Sequence, residues 1–164
     1  QRPAGGASGN DFYFMQHNGG GSNPIEAKEA ENDVVATAEA LAQQDNMDGT
    51  YSYFVDGDIT VAGTDVDHYA VDVPSGLTNN KFSVACAALR SGSGLLNFKI
   101  DTLKGSAGNG AVVGGSITET AAADSLISNV AIPAGETKLI IKLSAGSQSP
   151  MVTSTFYRCG IHFN

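Results

Sequence analysis

Asp65-Val66-Asp67-His68-Tyr69-Ala70-Val71-Asp72-Val73-Pro74-Ser75-Gly76 decides the fold. Tyr69, Val71 and Val73 fall on one side of an extended chain, and His68, Ala70 and Asp72 on the other. That two-residue period belongs to a strand with one buried face. Pro74-Ser75-Gly76 then supplies a turn. The same alternation recurs in both directions from this stretch. Leu96, Phe98 and Ile100 oppose Asn97, Lys99 and Asp101, and Leu139, Ile141 and Leu143 oppose Lys138 and Lys142. Strands are expected over Tyr51–Val55, Ile59–Ala62, Val66–Val73, Lys81–Leu89, Leu95–Leu103, Ala111–Thr118, Ser125–Ala131, Thr137–Ser144 and Thr155–Phe163. Turn residues separate them: Ser91–Gly94, Gly105–Gly110, Pro133-Ala134-Gly135 and Gly146–Pro150. Short strands at this spacing point to an all-β antiparallel sandwich.

Ahead of the strands, residues 25–44 are rich in Glu, Ala, Lys and Gln. They predict a short helix from about Val34 to Gln43, with Asp33 near its N-cap. Further upstream, Asp11–His17 is apolar on both strand faces: Phe12 and Phe14 on one, Tyr13 and Met15 on the other. A strand of that kind is expected to be covered on both sides. Asn18-Gly19-Gly20-Gly21-Ser22-Asn23-Pro24 tethers it as a flexible linker. The organisation is therefore an N-terminal extension, residues 1–24, and one β-sandwich domain, residues 25–164. Asp11–His17 has two readings: a strand of its own sheet, or a strand donated to a neighbour.

With 164 residues the chain is one domain with a core of its own. Charged residues are only 16%, and a net charge of −8 without a basic patch argues against nucleic acid. No run of 18 apolar residues is present, so no membrane span is expected. The opening at Gln1 and the profile as a whole suit a mature secreted product. The absence of an Asn-x-Ser/Thr sequon is in keeping with a prokaryotic source.

Two acidic clusters stand about thirty residues apart: Glu29-Ala30-Glu31-Asn32-Asp33 and Asp65-Val66-Asp67-His68-Tyr69. Both offer hard oxygen ligands of the kind calcium gathers. Neither contains Cys, and only one contains His, so zinc and copper fit poorly. If the fold joins the clusters they make one cation site; otherwise the first is a solvated helix face. His68, next to Asp67, is placed to support such a site from its second shell of contacts.

Cys86 shares a strand face with Phe82 and Val84, and Cys159 with Tyr157, Ile161 and Phe163. Both point toward apolar neighbours, which favours a disulfide between them in an extracellular protein. The alternatives are two buried thiols or pairing between chains. Elsewhere His17, His68 and His162 lie in unrelated strands, and no nucleophile elbow or nucleotide loop occurs. Asp56 and Asp58, on either side of Gly57, read as turn residues. Nothing in these patterns makes an enzyme.

Glu31-Asn32-Asp33, Ala36-Thr37-Ala38, Gly63-Thr64-Asp65-Val66-Asp67-His68-Tyr69 and Ala134-Gly135-Glu136-Thr137-Lys138-Leu139-Ile140-Ile141 together resemble bacterial pre-peptidase C-terminal domains. These are relatives of clostridial collagen-binding domains. The resemblance spans roughly residues 26–164. It implies a secreted, non-enzymatic, jelly-roll-like β-sandwich that binds Ca2+. The ligands it implies are Glu29, Glu31, Asn32, Asp33, Asp65 and Asp67. Ala30 stands where that family usually has Glu.

Two functions follow as expectations. One is a subunit of an extracellular filament or cell-surface structure, a homopolymer built by strand addition through Phe12, Tyr13, Phe14 and Met15. The other is an accessory module of an extracellular hydrolase, binding an extracellular protein or polysaccharide.

Overall fold

A computed structural model describes residues 25–27, 31–106, 110–123 and 125–164. Twelve strands follow in order: β1 (Glu39–Ala40), β2 (Gln44–Asp45), β3 (Tyr51–Asp58), β4 (Val66–Asp72), β5 (Lys81–Ala87) and β6 (Leu95–Leu96). The second half adds β7 (Lys99–Lys104), β8 (Val112–Thr118), β9 (Ser125–Ala131), β10 (Lys138–Ser144), β11 (Ser147–Gln148) and β12 (Phe156–Phe163). One five-stranded sheet has the order β2-β3-β12-β5-β9, and the second β1-β4-β10-β7-β8. A two-stranded ribbon, β11-β6, stands apart. All pairings between named strands are antiparallel except β1 with β4. No helix among the described residues is long and apolar enough to cross a membrane.

The two large sheets face each other as a sandwich because their inner faces are the apolar sides of the alternating strands. Tyr69 and Val71 of β4, Ile100 of β7, and Leu139, Ile141 and Leu143 of β10 come from one sheet. Tyr53 and Val55 of β3, Phe82 and Val84 of β5, and Tyr157, Ile161 and Phe163 of β12 come from the other. Each fully buried aromatic contributes about 1.5–3 kcal/mol of apolar transfer energy. Their rings are ordered: Phe98 stacks on Tyr157 at 5.4 Å, and Phe163 meets Tyr53 edge-on at 5.8 Å. Cys86 and Cys159 are register partners on β5 and β12 and form a disulfide.

The connections sort into two ends. At what we call the upper end, β3 finishes opposite the start of β12, Asp58 facing Phe156. The β3–β4, β5–β7, β8–β9 and β10–β12 connections lie there. The β2–β3 hairpin and the β4–β5, β7–β8 and β9–β10 connections lie at the lower end.

Several expectations are corrected. No α-helix forms over residues 34–43. A single 3-10 turn covers Val35–Thr37, and Asp33 does not cap it; the preceding residue is Val34, with no side-chain cap. The segment buries no apolar stripe, and Val34 is 54% exposed, so nothing stabilises a helix there. The outer edge of β4 instead takes Glu39–Ala40 as a strand, continued by Leu41 N–H bonding the Ala70 carbonyl. Ile59–Ala62 is a turn rather than a strand. Asp65 accepts the Thr60 N–H, and the Thr64 and Asp65 N–H groups bond the Val61 carbonyl. Leu95–Leu103 is broken by Asn97 at φ 54°. Asp56 and Asp58 belong to β3, and Asp56 makes a bidentate pair with Arg158 at 2.8–2.9 Å. Phe12, Tyr13, Phe14, Met15 and the linker lie outside the described residues.

A buried oxygen-rich cluster as candidate cation site

Asp67 sits second in β4 and points inward, in phase with Tyr69 and Val71. It is wholly buried. Tyr157, the second residue of β12 in the opposite sheet, reaches across and donates to Asp67 Oδ2 at 2.6 Å. The Tyr69 hydroxyl lies against that of Tyr157. With the Tyr157 proton committed to Asp67, Tyr69 is the donor to Tyr157. Burial, and next the neighbouring phenol and carboxylates, push the Tyr157 hydroxyl well above its ordinary pKa; burial does the same to Tyr69. Both phenols are protonated across the working pH range.

The N-terminal acidic segment closes the cluster from the sandwich edge. Ile25 bridges Asp56 in parallel, and the Glu26 N–H bonds the Asp56 carbonyl at 2.9 Å, which seats Glu26 beside the end of β3. Glu26 Oε2 lies 3.5 Å from the Tyr157 hydroxyl. Glu26 Oε1 accepts from the Asn32 amide nitrogen. Asn32 is wholly buried, and its Oδ1 has no hydrogen-bond partner among the described residues. An amide oxygen left unsatisfied in a protein interior costs about 1–3 kcal/mol unless a ligand completes it.

His68 holds this segment in place through Asn32 rather than through Asp67. It projects from the face of β4 opposite to Asp67. Its N–H and its Nδ1 both meet the Asn32 carbonyl at 3.0 Å. Burial keeps its pKa below the ordinary value, against the opposing pull of that carbonyl, so the ring is neutral with Nδ1–H as donor.

Gly57 forms the floor. A methyl group there would overlap the Tyr157 hydroxyl and stand 2.6 Å from Glu26 Oε2. Only the absence of a side chain leaves room for the polar groups.

The fold thus brings together Asn32 from the first acidic cluster and Asp67 from the second. Glu31 and Asp33 flank Asn32 and are exposed. Glu29 lies outside the described residues. Asp65 lines a separate open cavity of about 420 Å³ at the upper end, with Lys99, Asn97, Thr118 and Ser144. Among the described residues, no group of three or more His, Cys, Asp and Glu side chains is arranged to hold a metal. The donors assembled are two carboxylates, one amide oxygen and two phenols. The carboxylates and the amide oxygen are of the kind that a hard cation takes; the two phenols act as hydrogen-bond donors. Glu26, Tyr69, Tyr157 and Gly57 were not singled out from the sequence as site residues. The one available signal was that Tyr157 shares the core-facing phase of Cys159.

No protein-family model matches the chain, and neither a curated protein nor a solved structure matches it. Its class rests on the fold and the cluster: an all-β sandwich with an oxygen-rich site where its N-terminal segment meets both sheets.

Proposed function

We propose that this chain is a non-enzymatic, secreted calcium-binding β-sandwich that serves as a subunit of an extracellular or cell-surface assembly in a prokaryote. The observation that carries the calcium reading is the wholly buried Asn32 Oδ1, which lies beside Glu26, has no hydrogen-bond partner among the described residues, and is linked through Glu26 and Tyr157 to the buried Asp67. Asn32, Asp67 and Glu26 supply the inner oxygens. Glu29, Glu31, Asp33 and Asp65 are the further donors that the acidic clusters offer. The strand orders support a jelly-roll-like reading of the sandwich.

Assembly is through the N-terminal strand, residues 11–17, added to a neighbouring copy. Its support is the sequence of that strand, apolar on both faces and joined to the sandwich by a glycine-rich tether. Thermal melts at low salt, with calcium and with a chelator, test the cation reading. A higher midpoint in calcium is expected, because a ligand that binds only the folded state stabilises it. An unchanged midpoint contradicts it.

A further inference from the structure

One row of side chains crosses four strands of a single sheet near the upper end. Val66 of β4 is the register partner of Ser144 of β10, Ser144 of Lys99 of β7, and Lys99 of Thr118 of β8. Each stands beside an inward-facing residue: Asp67, Leu143, Ile100 and Ile117 in turn. All four therefore turn away from the core, onto the outer face of the sheet. Three strand spacings make the row roughly 14 Å long. It lines the open cavity of about 420 Å³.

Two loops complete the lining, and both are fixed. Asp65 is held by the Thr60 N–H, and the Gly63 N–H ties that loop to the Ala145 carbonyl at 2.8 Å. On the other loop, Asn97 takes a left-handed backbone, φ 54°, between β6 and β7. The Gly146 N–H bonds the Leu96 carbonyl at 3.0 Å, and a methyl group on Gly146 would stand 3.3 Å from Asn97 Cβ. A cavity lined by fixed groups loses little entropy when a ligand enters.

The chemistry of the lining narrows the ligand. Lys99 Nζ pairs with Asp101 at 3.0 Å, and Asp101 also accepts from Ser116. The Lys99 ammonium opposes a metal ion, and the Asp65 carboxylate opposes an anion. Val66 and Ala145 are the apolar side chains present, too few to hold a wholly apolar ligand. Among the described residues, nothing hydrogen-bonds the side chains of Asn97, Thr118 or Ser144. An amide and two hydroxyls both donate and accept. That pattern matches a neutral molecule covered in hydroxyl groups, with Val66 left for a C–H face.

We propose that this cavity binds a neutral oligosaccharide. Asn97, Ser144 and Thr118 bond its hydroxyls, and the Lys99 N–H groups not directed at Asp101 donate to its oxygens. The volume falls within the range of small-molecule sites, about 300–1,000 Å³. β8 is the last strand of its sheet among the described residues, so the row is open beyond Thr118 and a longer glycan can leave there. With no aromatic ring in the lining, affinity is low, with Kd about 1 mM. The proposal is independent of the cation and assembly readings, because Asn97, Lys99, Thr118 and Ser144 belong to neither.

Amide NMR of the labelled full-length protein in calcium tests it. The probes are neutral tetrasaccharides of glucose, galactose, mannose and N-acetylglucosamine, each taken to roughly twentyfold the expected Kd. At least one should shift the amides of Asn97, Lys99, Thr118 and Ser144 saturably. Ser144→Ala with Thr118→Val removes two hydroxyls, and Asn97→Gly removes the amide at a position whose backbone suits glycine. Each should weaken binding roughly tenfold while the rest of the spectrum and the melting midpoint stay near wild type. If no neutral probe saturates, if the shifts fall elsewhere, or if the folded variants bind as wild type does, the proposal is wrong. Binding of tetragalacturonate in place of the neutral probes would also overturn it, by making the cavity an anion site centred on Lys99.

Discussion

Tyr157→Phe isolates the link between the two sheets at the cluster. The ring that stacks on Phe98 at 5.4 Å is kept, so packing changes little. The hydroxyl that donates to Asp67 at 2.6 Å is lost, and the Tyr69 hydroxyl loses its acceptor. A hydrogen bond to a charged group contributes about 1.5–3 kcal/mol, and a buried hydroxyl left unsatisfied costs about 1–3 kcal/mol. The expected loss is about 3 kcal/mol, or roughly 6–12 °C in midpoint for a domain of this size. Urea denaturation followed by far-ultraviolet circular dichroism measures it. Tyr69→Phe removes only the outer donor of the relay and should cost less. The double variant should cost less than the sum of the singles, because both belong to one network. A loss below about 0.5 kcal/mol for Tyr157→Phe would refute the reasoning, since a buried charged hydrogen bond cannot be worth so little.

Gly57→Ala places a methyl group against Tyr157 and Glu26; it should destabilise by about 1–3 kcal/mol and remove the calcium response, as read by melts with and without chelator. Reducing the Cys86–Cys159 bond, which spans 73 residues, opens a loop whose closure contributes about 4 kcal/mol in the chain-entropy model. Denaturation with and without reductant measures that loss, and intact mass after alkylation confirms the bond. Glu119 is buried and accepts backbone N–H groups from Ala88, Leu89 and Arg90; Glu119→Ala should cost about 2–4 kcal/mol by leaving them unpaired. For Glu136, burial alone would raise the pKa, but the Ser106 hydroxyl and the Ser106 and Gly105 N–H groups together hold it below the ordinary glutamate value of 4.5. A depressed folded pKa gives stability that is present above the unfolded value and lost as pH falls through the folded one. Glu136→Gln should therefore flatten the acid limb of a stability–pH curve below about pH 4.5.

The long strands were legible because each has a core-facing period of two. Ser125–Ala131 forms with the bounds its alternation predicts, and β4, β8, β10 and β12 differ from expectation by one residue at an end. The disulfide was legible for the same reason, as phase put both cysteines toward the core. Local composition misled where tertiary pairing decided the outcome. The Glu- and Ala-rich run is a good helix sequence in isolation, yet the exposed edge of β4 recruits Glu39–Ala40 as a strand. Asp56-Gly57-Asp58 looks like a turn until Arg158, a hundred residues later, pairs with Asp56 across the sheet. The cluster was half legible. Asn32 and Asp67 stood out because each lies in a short run of oxygen-bearing side chains. Glu26 and Tyr157 act through one another across 131 positions, and no local pattern announces such a contact.

The central claim is that a hard cation completes Asn32 and Asp67. Calorimetric titration of calcium into chelator-stripped full-length protein, beside Asn32→Ala, tests it most directly. The account predicts saturable binding at one site in the wild type and binding at least tenfold weaker in the variant, a loss of about 1.4 kcal/mol or more. No saturable binding in the wild type, or equal affinity in the two proteins, would contradict it.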